Sequence, residues 1–158
     1  MTLTESDDDE FNSWQANGFT TESILRITPA MADLDSIPTA YATVSIDTPF
    51  TPLPQKLNAI ASAGFQGIEL GFPDLISFAS QIVSKEVSPY DYDVLCNAAL
   101  EVKRKCEELK LKVVMLQPFS NFEGWKPQSE ERKDAFKRVK GWIRVMETVG
   151  CDMLQVST

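Results

Sequence analysis

The chain has 158 residues, of which 43% are hydrophobic, 24% charged and 9% aromatic, the make-up of a soluble domain with enough apolar side chains to bury a core. That excludes collagen-like, mucin-like and wholly disordered chains. The formal net charge is −8, but residues 1–40 hold eight acids against one base, which leaves 15 acids and 14 bases over the remainder. A surface so near neutrality has no basic stripe for nucleic acid and no polybasic patch for a membrane, so neither partner is expected. No apolar run approaches the roughly 18–20 residues that span a bilayer, and the acidic N-terminus resembles neither a secretory nor a transit peptide, so a cytoplasmic location is expected.

Histidine is absent. Imidazole is the commonest general base and transition-metal ligand, so Ser-His-Asp triads, Cys-His nucleophiles and His-bearing zinc sites cannot be built from this chain alone. Catalysis would rest on carboxylates, amides, hydroxyls or lysine. The three cysteines, Cys96, Cys106 and Cys151, are widely spaced. The first two fall on one expected helix, about 15 Å apart at 1.5 Å per residue and beyond disulfide reach. All three are read as reduced, mostly buried thiols.

Residues 1–38 show no sustained period, although Ile24, Leu25 and Ile27 make a short apolar patch, and a disordered acidic extension is expected there. A second region, 39–158, then begins. Residues 41–46 alternate as a short strand before a turn-rich stretch with Pro49 and Pro52. Leu53, Leu57, Ile60 and Ala61 recur at helical spacing, with Gly64 just past the end. A strand follows over 65–70, then a loop and a short helix within 73–83.

A longer helix carries Val94, Leu95, Ala98, Ala99, Val102, Cys106 and Leu109 on one face and charges on the other. The next strand is 112–117. The loop over 118–129 is unusually aromatic, with Phe119, Phe122 and Trp125 around Glu123 and Gly124. A third main helix over 130–149 is expected to bury Phe136, Val139, Trp142, Ile143 and Met146, to stop at Gly150, and to lead into a strand over 151–157.

Two of these joints repeat without a gap, 61–70 against 147–156, and 109–116 fits between them with Lys110 in the place of the glycine. The repeated unit is a helix, a left-handed cap and a parallel strand. Such alternation builds a parallel sheet, either doubly wound or a (β/α)8 barrel. A nucleotide-binding wound sheet would show a glycine-rich turn after its first strand, and the glycines at 64, 67 and 71 make neither G-x-G-x-x-G nor a P-loop. Barrels gather polar residues at the C-terminal ends of their strands, where Glu69, Gln117 and Gln155 fall among apolar neighbours. An incomplete TIM-barrel α/β fold of about four parallel strands and three main helices is therefore expected.

The residues Gly64-Phe65-Gln66-Gly67-Ile68-Glu69-Leu70, Phe72-Pro73-Asp74-Leu75, Leu116-Gln117-Pro118-Phe119, Phe122-Glu123-Gly124-Trp125 and Asp152-Met153-Leu154-Gln155-Val156 carry a resemblance. Together they resemble the N-terminal half of fungal xylose isomerase-like TIM-barrel proteins, most of all the branch of 3-dehydroshikimate dehydratases and sugar phosphate isomerases/epimerases. The resemblance implies a divalent-metal lyase or isomerase acting on a small hydroxylated or keto acid or a sugar. It places the metal ligands at the ends of the later strands of a complete barrel. Since the residues through Thr158 supply four strands of eight, this chain is expected to be the inactive N-terminal part of such an enzyme, with no metal ligand or catalytic residue of its own. The alternative is a non-catalytic half-barrel that self-associates or binds a partner through its exposed edges.

Glu69 is the foremost candidate, because a carboxylate between Ile68 and Leu70 in a buried strand is costly unless paired or used. It either orients substrate or pairs structurally with a neighbouring element. Gln117 and Gln155 can orient a substrate but cannot abstract a proton. Glu123 with Trp125 either closes over a ligand or anchors a long loop. Asp74 reads as a turn or N-cap residue after Pro73.

Overall fold

Each helix-to-strand joint is set locally by a left-handed residue, and all three fall where the sequence repeat places them. The computed structural model describes residues 37–47 and 50–157, and the expectation of a disordered extension lies on residues outside that range. The chain divides into two units, Met1–Ile37 and Pro38–Thr158, and every element below belongs to the second. In chain order these are β1 (Ala40–Ala42), a 3-10 turn (Thr43–Ser45), α1 (Leu53–Ser62), β2 (Gly67–Gly71), α2 (Phe72–Val83), α3 (Tyr92–Glu108), β3 (Lys112–Phe119), α4 (Glu130–Val149) and β4 (Met153–Val156). The joint residues Gly64, Lys110 and Gly150 have φ of 88°, 58° and 85°. The glycines adopt this conformation at little cost, whereas Lys110 holds it against its own Cβ.

Caps fix the helix starts. Pro52 precedes Leu53 and Pro54 at the start of α1, where missing amide protons cost nothing. The Asp91 carboxylate accepts from the Val94 amide, and the Ser129 hydroxyl accepts from the Arg132 amide. Glu130 and Glu131 follow Ser129 in the first turn of α4, where they favour the positive end of the helix dipole.

All four strands are parallel and lie in the order β1-β2-β3-β4. The helices cover one face, because alternate strand residues such as Ile68, Leu70, Val113 and Leu116 are buried there. They meet Leu53, Leu57 and Ile60 of α1, Leu75 and Ala79 of α2, Leu95, Ala99 and Val102 of α3, and Trp142, Val145 and Val149 of α4. Trp142 stacks on Phe72 with ring centroids 4.0 Å apart and meets Phe119 edge-on at 5.1 Å. Val114 is the extra residue of a bulge, since Ile68 pairs with Val113 and Glu69 with Met115. Among the described residues no helix is long and apolar enough to cross a membrane.

Three sequence expectations are corrected. The strand expected over 41–46 ends at Ala42, because Thr43 turns under the sheet: its hydroxyl accepts from the Gly71 amide and its carbonyl from the Lys56 ammonium. The helix within 73–83 is a full element of 12 residues that begins directly at the end of β2, so there are four helices where three main ones were expected. Phe136 and Ile143 are 57% and 45% exposed. Apolar residues occupy more of the α4 circumference than α3 and the sheet cover, and the arc bearing Ala135, Trp142, Val145, Met146 and Val149 is the buried one.

The cysteines are free, Cys106 buried and Cys96 and Cys151 half-buried. Burial, with a smaller push from Glu107, raises the Cys106 thiol to about 12, and burial with Asp152 raises Cys151 to about 11. These values lie above the ordinary 9.0, so the stability from burying neutral thiols is complete below that pH and is lost as pH rises toward 11 and 12. Iodoacetamide at neutral pH is expected to spare Cys106 and Cys151 in the folded chain and to label all three cysteines in denaturant. Fast labelling of Cys106 without denaturant would contradict its burial.

Candidate functional site

The C-terminal ends of the strands are where a barrel of this type does its chemistry. There β2 carries Glu69 and β3 carries Gln117, on the sheet face opposite the helices. The Gln117 amide Nε2 donates to Glu69 Oε2 at 2.7 Å. Gln117 is buried and Glu69 half-buried. The bulge at Val114 shifts β3 so that Gln117 stands beside Gly71, whose lack of a side chain lets Val44 pack where a Cβ would fall. The Gln117–Pro118 peptide bond is cis.

Of the four residues singled out in the sequence, the structure brings two together. Glu123 lies exposed in the loop after β3, and Gln155 is exposed on β4, with neither joined to the Glu69 pair by a hydrogen bond. The loop is anchored at its root, for Arg138 donates to the carbonyls of Ser120 and Asn121, pairs with Asp134 at 2.8 Å and stacks 4.9 Å from the Phe119 ring centroid. The Trp125 indole donates to the Asn121 carbonyl at 3.3 Å.

Lys56 and Asp74 were not foreseen as a unit. The Lys56 ammonium, fully buried in α1, donates to Asp74 Oδ1 at 2.8 Å and to the Thr43 carbonyl at 3.2 Å. Asp74 is not the N-cap of α2, a position taken by Gly71; it lies in the first turn, near the positive end of the helix dipole. This ion pair joins α1 to α2 and, through the Thr43 carbonyl, to the end of β1, beside Gly71 at the end of β2. A signal was present, since 53, 56, 57 and 60 share one helical face on which Lys56 is the only polar residue.

The divalent metal implied by the family resemblance finds a poor donor set here. Among the described residues no three or more His, Cys, Asp or Glu side chains converge as a metal site. Glu69 is the single carboxylate of its pair and already accepts the Gln117 amide proton. These residues do not fit a metal on their own, and the chemistry they offer is hydrogen bonding to a polar ligand.

The model of the xylose isomerase-like TIM barrel family matches residues 57–158. The chain belongs to the xylose isomerase-like TIM barrel family. It is 33% identical over 117 residues to a 3-dehydroshikimate dehydratase of Pseudomonas aeruginosa, an alignment covering 74% of this chain and 15% of that protein. It is 28% identical over 106 residues to a 3-dehydroshikimate dehydratase of Neurospora crassa, covering 66% of this chain and 29% of that one. A solved xylose isomerase-like TIM barrel/4-hydroxyphenylpyruvate dioxygenase fusion protein superposes with a TM-score of 0.53 at 28% identity, over 74% of this chain and 15% of its own. The chain thus spans between 15% and 29% of the length of these curated relatives. Membership of this xylose isomerase-like family accords with the four parallel βα units and with the barrel expected from the sequence.

Proposed function

We propose that the chain forms the substrate-orienting wall of a 3-dehydroshikimate dehydratase-like lyase, which removes water from a small hydroxylated keto acid. The observation that carries this is the Glu69–Gln117 pair at the barrel-mouth end of adjacent strands. One carboxylate oxygen of Glu69 accepts the hydrogen bond of the Gln117 amide, and the other remains an acceptor for a substrate hydroxyl. The Gln117 amide keeps its second N–H and its carbonyl, so the pair presents donors and acceptors to a polyhydroxylated ring. Names carried by the relatives supply the substrate class. In this proposal the divalent metal is held by side chains other than those described here, within a closed eight-stranded barrel.

The test joins this chain to the remaining strands of the Pseudomonas relative and follows 3-dehydroshikimate turnover. Glu69→Gln keeps the shape and removes the charge; if the carboxylate orients substrate, kcat/KM is expected to fall about tenfold or more, equivalent to about 1.4 kcal/mol, with unfolding unchanged. Unchanged kinetics with lowered stability would assign Glu69 to structure alone. A second, non-catalytic reading is favoured by Met153 and Val156, which stand 48% and 54% exposed on the edge strand β4. There β4 pairs with another copy, and a monomer by sedimentation at micromolar concentration would count against it.

A further inference from the structure

We propose that Thr43 is a positioning residue for the Glu69–Gln117 pair, its hydroxyl replacing the backbone acceptor that β1 withdraws on leaving the sheet; this rests on the substrate-orienting reading of that pair. Ala42, the last residue of β1, lies opposite Glu69 in the parallel register. Beyond it β1 offers no further strand partner, yet β2 runs on to Gly71, which is buried. A buried amide left there without an acceptor would be as costly as a lost hydrogen bond. The Thr43 hydroxyl takes it, accepting from the Gly71 amide at 2.9 Å, and Thr43 is itself wholly buried.

This bond fixes the strand end that carries the pair. Gly71 lies two residues past Glu69 and stands opposite Gln117 across the β2–β3 register. A shift of Gly71 therefore displaces Glu69 through its own strand and Gln117 through the ladder. The 2.7 Å bond between the two side chains tolerates little of either. Thr43 is pinned in turn, because its carbonyl accepts from the Lys56 ammonium at 3.2 Å and Lys56 pairs with Asp74, three residues past Gly71. The clamp thus closes on the strand end from which it starts. Thr43 makes no hydrogen bond to Glu69 or Gln117, so its effect on a substrate passes through the backbone of β2.

Thr43→Val keeps the side-chain shape and removes the acceptor, whereas Thr43→Ser retains it. In the 158-residue chain the side-chain amide signals of Gln117 in nitrogen-edited NMR spectra report on the pair without any turnover. They should move in Thr43→Val and stay at their native positions in Thr43→Ser. Val102→Ala, a buried change in α3, should lower stability and leave them in place. In the barrel completed with the strands of the Pseudomonas relative, Thr43→Val should lower kcat/KM about fivefold or more and Thr43→Ser less than about twofold. Unmoved Gln117 signals in a folded Thr43→Val chain, or equal impairment by serine and valine, would overturn the proposal. Should Thr43→Val not fold, the native chain decides: the Gly71 amide is expected to exchange with solvent as slowly as the buried amides of β2, and fast exchange overturns the clamp. Glu69→Gln separates this proposal from the function on which it rests. Lowered turnover there with native turnover in Thr43→Val refutes the clamp alone, whereas unchanged turnover there with moved Gln117 signals rejects the substrate role and keeps the clamp.

Discussion

Asp74→Ala is expected to destabilise the βα unit by about 3–5 kcal/mol, because it strands the buried Lys56 ammonium without its carboxylate. Lys56 is fully buried and Asp74 is 3% exposed, so water cannot take over the missing interaction. The damage should spread beyond one contact. Lys56 also donates to the Thr43 carbonyl, and the Thr43 hydroxyl accepts from the Gly71 amide, so one pair holds the ends of two strands. Apolar replacement of both partners, Lys56→Met with Asp74→Leu, should recover most of the loss, since neither charge then remains in the core. Urea unfolding of the two single variants and the double variant gives the comparison. A cost below about 1 kcal/mol for Asp74→Ala would show a solvated pair of the kind found on surfaces.

Gly141→Ala should destabilise by about 1–3 kcal/mol, opposite in sign to the usual effect of that change inside a helix. Alanine is the better helix former by about 1 kcal/mol, and on propensity alone α4 would gain. A Cβ at position 141, however, would fall on the ring of Tyr92, which α3 lays across α4 at this point. Tyr92 is buried, and its hydroxyl donates to the Arg138 carbonyl at 3.4 Å, so the ring cannot swing aside without losing that bond. Burial also raises the Tyr92 phenol above its ordinary value, which keeps it a neutral donor at physiological pH. In a Tyr92→Leu background the same Gly141→Ala change should become neutral or favourable. The shift in urea midpoint between the two backgrounds measures this, and equal costs in both would remove Tyr92 as the cause.

Under the proposed function, these two contacts would help hold the strand ends that carry Glu69 and Gln117. The Lys56–Asp74 pair lies beside Gly71, two residues after Glu69 on β2, and the Tyr92–Gly141 contact sets how closely α4 approaches α3. Hydrogen-bonding groups at the strand ends are useful only if held to within fractions of an ångström. Close packing and a dry ion pair hold them that way better than surface loops would.

The alternation of strand and helix was legible in the sequence, and so was the third main helix at 130–149, whose bounds agree with Glu130–Val149. The left-handed joints were legible too, including Lys110 standing in a glycine position with φ of 58°. Such features depend on residues within about four positions of one another, on caps and on turn conformations, which is information that a local stretch carries. Family membership was legible for the same reason, since the joint motifs are local.

Tertiary structure decided what local pattern could not. Tyr41 to Ile46 alternates like a strand, yet the chain leaves the sheet at Thr43 because Lys56, 13 residues on, and Gly71, 28 residues on, capture its oxygens. Phe136 and Ile143 have the hydrophobicity of core residues, but which arc of α4 is covered depends on where α3 and the sheet lie. Glu69 and Gln117 meet across 48 residues through a bulge, while Gln155 and Glu123, also candidates from their positions, do not join them. The periodicity of one element reports which residues share a face; only the packed assembly of several elements determines what that face meets.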